Sequence, residues 1–302
     1  MDMEVQPSDT LRALNEDVLR VIMEMLRPGR CLRPLSLTCK WLRAACCPIL
    51  FRECVVPSKV VDGWRQPAFI PPSLWPYLCH LSFAGPFERD EIRRLRILNL
   101  QSIDPDWKEE VLRPHRDAVK AVSETLQVAV TSMPSLYSVN ISTSNVPHSA
   151  GPRDVPGVSP YILAAILSAS QVRQLGIAGP LCDPGDELPQ SFTQSMHARL
   201  SSLVYRIHYE RSALQVPHVE GEELSLILGH VHDCLEILFL PGESAPIERM
   251  GAWQWPSLEE LYLRGERATS SRPLVQMLSE MPRLRTLALM LAEPGSGETP
   301  PI

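Results

Sequence analysis

Leu235-Glu236-Ile237-Leu238-Phe239-Leu240, Leu258-Glu259-Glu260-Leu261-Tyr262-Leu263 and Leu284-Arg285-Thr286-Leu287-Ala288-Leu289 are three copies of one phrase. Each reads apolar, two others, apolar, one other, apolar. The last two apolar positions alternate as a short strand with one buried face requires. Toward the N-terminus the phrase recurs as Val172, Leu175 and Ile177; as Leu136, Val139 and Ile141; as Leu95, Leu98 and Leu100; and as Leu78, Leu81 and Phe83. Leu200, Leu203 and Tyr205 form a weaker copy. Successive copies lie mostly 23 to 41 residues apart, with a shorter first gap. Several gaps hold helix-like segments, at residues 117–130, 161–168, 222–234 and 273–281.

A strand and a helix recurring about every 20–29 residues, with longer insertions, resemble leucine-rich repeats. The resemblance covers about residues 76–291 and implies stacked units, because no unit covers its own apolar strand face. Parallel strands would line a concave surface, with helices or turns on the convex side. The family's Asn or Cys three positions after the last strand Leu is missing; Pro86, Ile103, Ser144, Pro180, His208, Glu243, Glu266 and Ala292 stand there. The turns must then satisfy their backbone groups in another way, so the expectation is an irregular α/β solenoid. An ordinary α/β domain is the other reading.

The first fifty residues follow a different rhythm. In residues 14–26, Asn15 is a plausible N-cap, and Glu16 and Asp17 put negative charge at the positive end of a helix dipole. Pro28-Gly29 stops that helix. Glu16, Arg20, Glu24 and Arg27 make one polar stripe, and apolar residues fill the rest of the circumference. Residues 32–47 repeat the pattern from Pro34, a first-turn proline, and Pro48 is expected to open a short third helix with Ile49, Leu50 and Phe51. Three such helices carry more apolar surface than they can cover among themselves. Either a partner covers the surplus or the following domain does.

These residues carry a second resemblance. Leu14-Asn15-Glu16-Asp17-Val18-Leu19, Ile22-Met23, Leu26, Leu35 through Arg43 with its Cys39-Lys40-Trp41 step, and Pro48-Ile49-Leu50-Phe51 are similar to an F-box. Asn15, Asp17, Thr38 and Phe51 depart from that family's usual Pro, Glu, Val and Trp. The resemblance covers about residues 11–54. It implies a three-helix module that docks on the Skp-family adaptor of a cullin–RING (SCF-type) ubiquitin ligase, the rest of the chain holding a target protein. The docking residues it implies are Leu14, Val18, Leu19, Ile22, Leu35, Leu37, Trp41, Leu42 and Phe51, some of which must form the module's own core. The fold expected is thus a helical F-box at residues 11–54, a proline-rich linker at 55–75, a leucine-rich-repeat-like α/β solenoid at 76–292 and a disordered tail at 293–302.

Composition bounds the alternatives. A net charge of −6 argues against a general nucleic-acid binder, and a first ten residues with three acids and no base argue against a leader. The longest strongly apolar run, residues 162–167, is too short to span a bilayer. The eight scattered cysteines read as reduced thiols of a cytoplasmic or nuclear protein. No Gly-x-Gly-x-x-Gly, Gly-x-x-x-x-Gly-Lys, Gly-x-Ser-x-Gly or Cys-x-x-Cys occurs. The expectation is therefore a non-enzyme with no cofactor or metal. His230 and His232 fall on different faces of a helix, Arg93, Arg94 and Arg96 read as a solvated basic face, and Trp253, Trp255 and Tyr262 read as core packing or as partner-facing aromatics. A proline-rich stretch at 147–160 reads as an exposed loop. Two rivals stand beside the ligase reading: a repeat scaffold with no ligase role, and an enzyme of unrecognised type.

Overall fold

The computed structural model describes residues 14–27, 31–57, 70–84, 105–142, 158–179, 181, 196–206, 217–266 and 274–292. The repeat copy at Leu95, the basic cluster at 93–96, most of the 147–160 stretch and the 293–302 tail lie outside them. Among the described residues three helices come first: α1 (Glu16–Leu26), α2 (Leu32–Ser36) and α3 (Lys40–Leu50). Eight strands follow: β1 (Glu53–Pro57), β2 (His80–Ala84), β3 (Ser138–Ser142), β4 (Gln174–Ala178), β5 (Ser202–Arg206), β6 (Ile237–Pro241), β7 (Glu260–Glu266) and β8 (Thr286–Ala292). They form one sheet in the order β1 to β8, every pairing parallel. Parallel neighbours in sequential order, each reached by a crossover, are the topology of an α/β solenoid.

The repeated phrase sets the register. Leu81, Val139, Leu175, Leu203, Leu238, Leu261 and Leu287 are partners along one line through the sheet. All but the last are buried, as are Phe83, Ile141, Ile177, Tyr205, Leu240 and Leu263 two residues on. Burying such a side chain is worth roughly 1.5–3 kcal/mol, and a slip of one residue would turn the whole set to solvent. In β8, Leu287 and Leu289 are 40% and 44% exposed, because no described element stacks beyond that strand. Behind the sheet lie α4 (Pro105–Thr131), α5 (Pro160–Leu167), α6 (Pro217–Val231), α7 (Ile247–Met250) and α8 (Leu274–Leu278), together with a 3-10 turn at Pro72–Tyr77. Four of these helices overlap the expected helix-like segments; α4 begins twelve residues earlier than 117 and runs through Pro114.

Backbone hydrogen bonds tie each repeat to the next at the strand entries. At each strand entry, one carbonyl accepts two successive N–H groups from the next repeat: Arg52 from Cys79 and His80, Cys79 from Tyr137 and Ser138, Tyr137 from Arg173 and Gln174. The series continues through Arg173, Ser201, Glu236 and Glu259, with N···O distances of 2.8–3.1 Å. The accepting residue always follows the first apolar position of the phrase, so the series also identifies a copy missed in the sequence. Phe51, Cys54 and Val56 have the same spacing as Leu78, Leu81 and Phe83, and β1 is its strand. The sheet therefore begins at Glu53, and β1 takes the first residues of the stretch read as a linker.

Two helix boundaries differ from expectation. The helix expected over 32–47 breaks at residues 37–39, where Cys39 adopts an extended conformation and its Sγ accepts the Leu42 N–H at 3.5 Å. Thr38 Oγ1 meanwhile donates to the Leu35 carbonyl at 2.8 Å. Pro48 does not open a third helix; it lies inside α3. The carbonyl it leaves without an intrahelical donor belongs to Ala44, an exposed residue, so water can satisfy it.

Candidate functional site

Two surfaces carry exposed groups that their own elements do not explain. The first is on the helical head. Asn15 caps α1, its side chain accepting the Asp17 N–H at 2.8 Å. One face of α1 turns Leu19 and Met23 into a small core with Leu32, Leu42, Cys46 and Ile49, a core separate from that of the solenoid. Leu26, Leu35, Trp41, Ala45 and Leu50 close over it, and the Cys46 thiol sits 3.7 Å from the Met23 sulfur. A second face ties α1 to the entry of β1: Arg27 pairs with Glu53 at 2.7 Å and Glu24 with Arg52 at 3.3 Å. The Arg27 hydrogen bond holds the Glu53 carboxyl below its ordinary range, and the same bond holds the Arg27 guanidinium above its own.

The third face of α1 meets no other element among the described residues. Val18, Val21 and Met25 fall at spacings of three and four and make one stripe, and Leu14, just before the cap, is exposed as well. Met25 is 77% exposed, and Leu37, in the break between α2 and α3, is 68% exposed. The nine residues named for docking thus divide. Leu14, Val18, Leu37 and Phe51 are exposed; Ile22, Leu35 and Trp41 are half-buried; Leu19 and Leu42 belong to the head's own core. Val21 and Met25 are not among the nine, although the 18–21–25 spacing signals them.

The second surface is the face of the sheet turned away from the helices. Its middle row runs Val55, Ser82, Asn140, Gly176, Val204, Phe239, Tyr262 and Ala288. The row changes character along the stack. At β3 and β4 the Asn140 carboxamide lies across the space a Cβ on Gly176 would occupy, so the floor is polar and shallow. At β6 and β7 Phe239 and Tyr262 stack, with ring centroids 5.8 Å apart and planes at 20°. Arg206 from β5 lays its guanidinium 5.0 Å from the centre of the Phe239 ring, a cation–π contact. Tyr262 donates its hydroxyl to Glu260 at 2.8 Å, and that bond to the carboxylate raises the phenol above its ordinary range.

The tryptophans belong elsewhere. Trp255 is fully buried and donates its indole N–H to the Met250 carbonyl at 2.9 Å. Trp253 packs beside it, stacked on His232 at 5.6 Å, while His230 is exposed. Among the three aromatics read as core or partner-facing, only Tyr262 is on the open face. Burial raises the thiols of Cys46 and Cys54, and raises Cys234 to about 11, so all three are protonated at neutral pH and poor nucleophiles. Among the described residues no three His, Cys, Asp or Glu side chains converge as metal ligands, and no helix is long and apolar enough to cross a membrane. Set against known proteins, the chain matches no family model, and no curated protein matches it.

Proposed function

We propose that this chain is the substrate-recognition subunit of a cullin–RING ubiquitin ligase, its helical head an F-box docked on the Skp-family adaptor and its leucine-rich-repeat-like solenoid holding a target protein. One observation supports this above the rest: the Val18–Val21–Met25 stripe, with Leu37, stays exposed although the head has closed a core of its own. A surplus of that kind is what a foreign subunit would cover. A receptor of this type makes and breaks no bonds. It raises the effective concentration of a target near the conjugating enzyme carried by other subunits.

The test uses residues outside the core. Val18→Asp with Met25→Asp places two charges on the stripe and leaves Leu19, Met23 and Leu42 untouched. Each buried apolar side chain at such an interface contributes roughly 1.5–3 kcal/mol, so the double variant should lose co-purification with the adaptor while its melting curve stays unchanged. Undiminished co-purification overturns the docking assignment and leaves a repeat scaffold with no ligase role.

A further inference from the structure

The two edges of the sheet differ. β1 opens with Glu53, which Arg27 of α1 holds at 2.7 Å, and closes with Pro57, which has no N–H to offer a further strand. β8 has no such protection. Thr286-Leu287-Ala288-Leu289-Met290-Leu291-Ala292 contains no charge and no proline, and it pairs with β7 in unbroken register along its whole length, so no bulge turns its edge away. Among the described residues no element lies beyond it. Leu287, Leu289 and Met290 are 40%, 44% and 38% exposed, whereas Leu261 and Leu263, the β7 partners of the two leucines, are fully buried. An edge strand of this kind, its outward N–H and C=O groups unmatched, is a template for another strand.

We propose that the strand it takes is β8 of a second copy of this chain, antiparallel and related by a two-fold axis at Leu289. The order of residues argues for this occupant. Read in either direction from Leu289, the second residue is a leucine: Leu287 on one side, Leu291 on the other. With Leu289 opposite itself, Leu287 of each copy lies opposite Leu291 of the other, and directly opposed residues share a face. The leucines therefore all stay on the inner side, where Leu291 already packs against the core, and the apolar line of one solenoid runs on into that of its mate. On the open side Ala288 is set against Met290, small against large. Charge agrees with this register. In the sequence Arg285 precedes the strand and Glu293 follows it. Carried one step past each end, the same pairing sets opposite signs against each other at both. Arg285 also pairs with Glu259 at 3.2 Å, but its side chain is 76% exposed, and a guanidinium has donors for two carboxylates. Glu260 and Arg264 belong to β7, one strand in from the axis. Head-to-tail stacking of β8 on β1 would instead propagate as an open filament, and Pro57 and the Arg27–Glu53 pair stand at that edge. The proposal is independent of what the helical head docks on.

The experiment is analytical ultracentrifugation of the full chain, with cysteine trapping to read the register. At about 50 µM the unaltered chain should sediment as a dimer and dissociate on dilution, as mass action requires of a modest interface. Leu289→Lys opposes two like charges at the axis and should be monomeric at the same concentration. Leu289→Cys should give a disulfide-linked dimer on mild oxidation, since opposed residues lie about 4.5–5.5 Å apart at Cα and a disulfide spans about 4.4–6.8 Å. Thr286→Cys should not, because Thr286 of the other copy is displaced by about 20 Å along the strand. The unaltered chain, which carries exposed Cys31 and Cys39, gives the background. Val18→Asp with Met25→Asp should leave the dimer intact, which separates this edge from self-association through the head. A chain that stays monomeric at about 50 µM, oligomers larger than two, a dimer indifferent to Leu289→Lys, equal trapping at 286 and 289, or a dimer lost with the head variant overturns the proposal. If Leu289→Lys fails to fold, the two trapping variants decide the question.

Discussion

The helical head and the solenoid solve the same problem with opposite results. Both are built from short elements that cannot cover their own apolar surface. The solenoid adds another copy: six of the seven residues on the Leu81–Leu287 line are buried, and only the last strand keeps its face open. Among the described residues the head has three helices and no further copy, so α1 buries one side and leaves the Val18–Met25 side exposed. Repetition removes surplus surface, and a small closed module retains it. An apolar residue in the head is therefore ambiguous between core and interface, whereas one at the repeat positions is not.

The sharpest way to break this contrast is to shorten one residue of each kind. Leu238→Ala, at the centre of the stack, should cost about 2–5 kcal/mol in urea-unfolding stability. Val21→Ala on the exposed stripe should change stability by less than about 0.5 kcal/mol. Comparable losses from the two would mean that the stripe is covered from within the chain.

A smaller effect probes the turns. Gly265 has φ +119°, a conformation that side chains rarely adopt, and a Cβ there would press on the Glu243 carboxylate. Gly265→Ala should lower stability by roughly 1–3 kcal/mol. Differential scanning calorimetry showing no loss would mean the rim is softer than its backbone indicates.

The smallest effect lies at the junction of head and sheet. Glu53→Gln removes the pair with Arg27, whose side chains are 56% and 36% exposed. Screening by solvent limits such a pair to about 0.2–1 kcal/mol. The sign with pH is fixed: a carboxyl held lower in the folded chain contributes stability above its unfolded pKa, and loses it as pH falls through the folded value. In urea titrations at low salt, the unaltered chain should therefore lose its small advantage over the Gln variant on acidification below the ordinary carboxylate range. An advantage that persists there, or that grows with salt, argues against the pair.

The strand lines were legible because the phrase sets both the period and the inward face. β5 was readable even with Tyr205 in place of a leucine, since alternation matters more than identity. β1 is hard to read from sequence because Phe51, Cys54 and Val56 share the spacing but not the leucines, and because Phe51 also fits the pattern of the head. The break at residues 37–39 was hidden by apolar residues that keep helical spacing on both sides of it. The division of the docking residues was hidden for a related reason. A helix apolar around most of its circumference does not tell which side meets its own core; the packing of α3 against Leu19 and Met23 decides it. On the open face, the residues between the phrase's leucines follow no pattern, so Arg206, Phe239 and Tyr262 gain meaning only once register places them on adjacent strands.

The passage from α3 into β1 takes two residues, Phe51 and Arg52, and the Arg52 carbonyl already accepts the first pair of N–H groups from the next repeat. So short a crossing leaves no room for a swivel. If the proposed function holds, a target is presented to the ligase at a bearing inherited from this corner, and lengthening the corner by a few glycines would loosen the aim while sparing either contact.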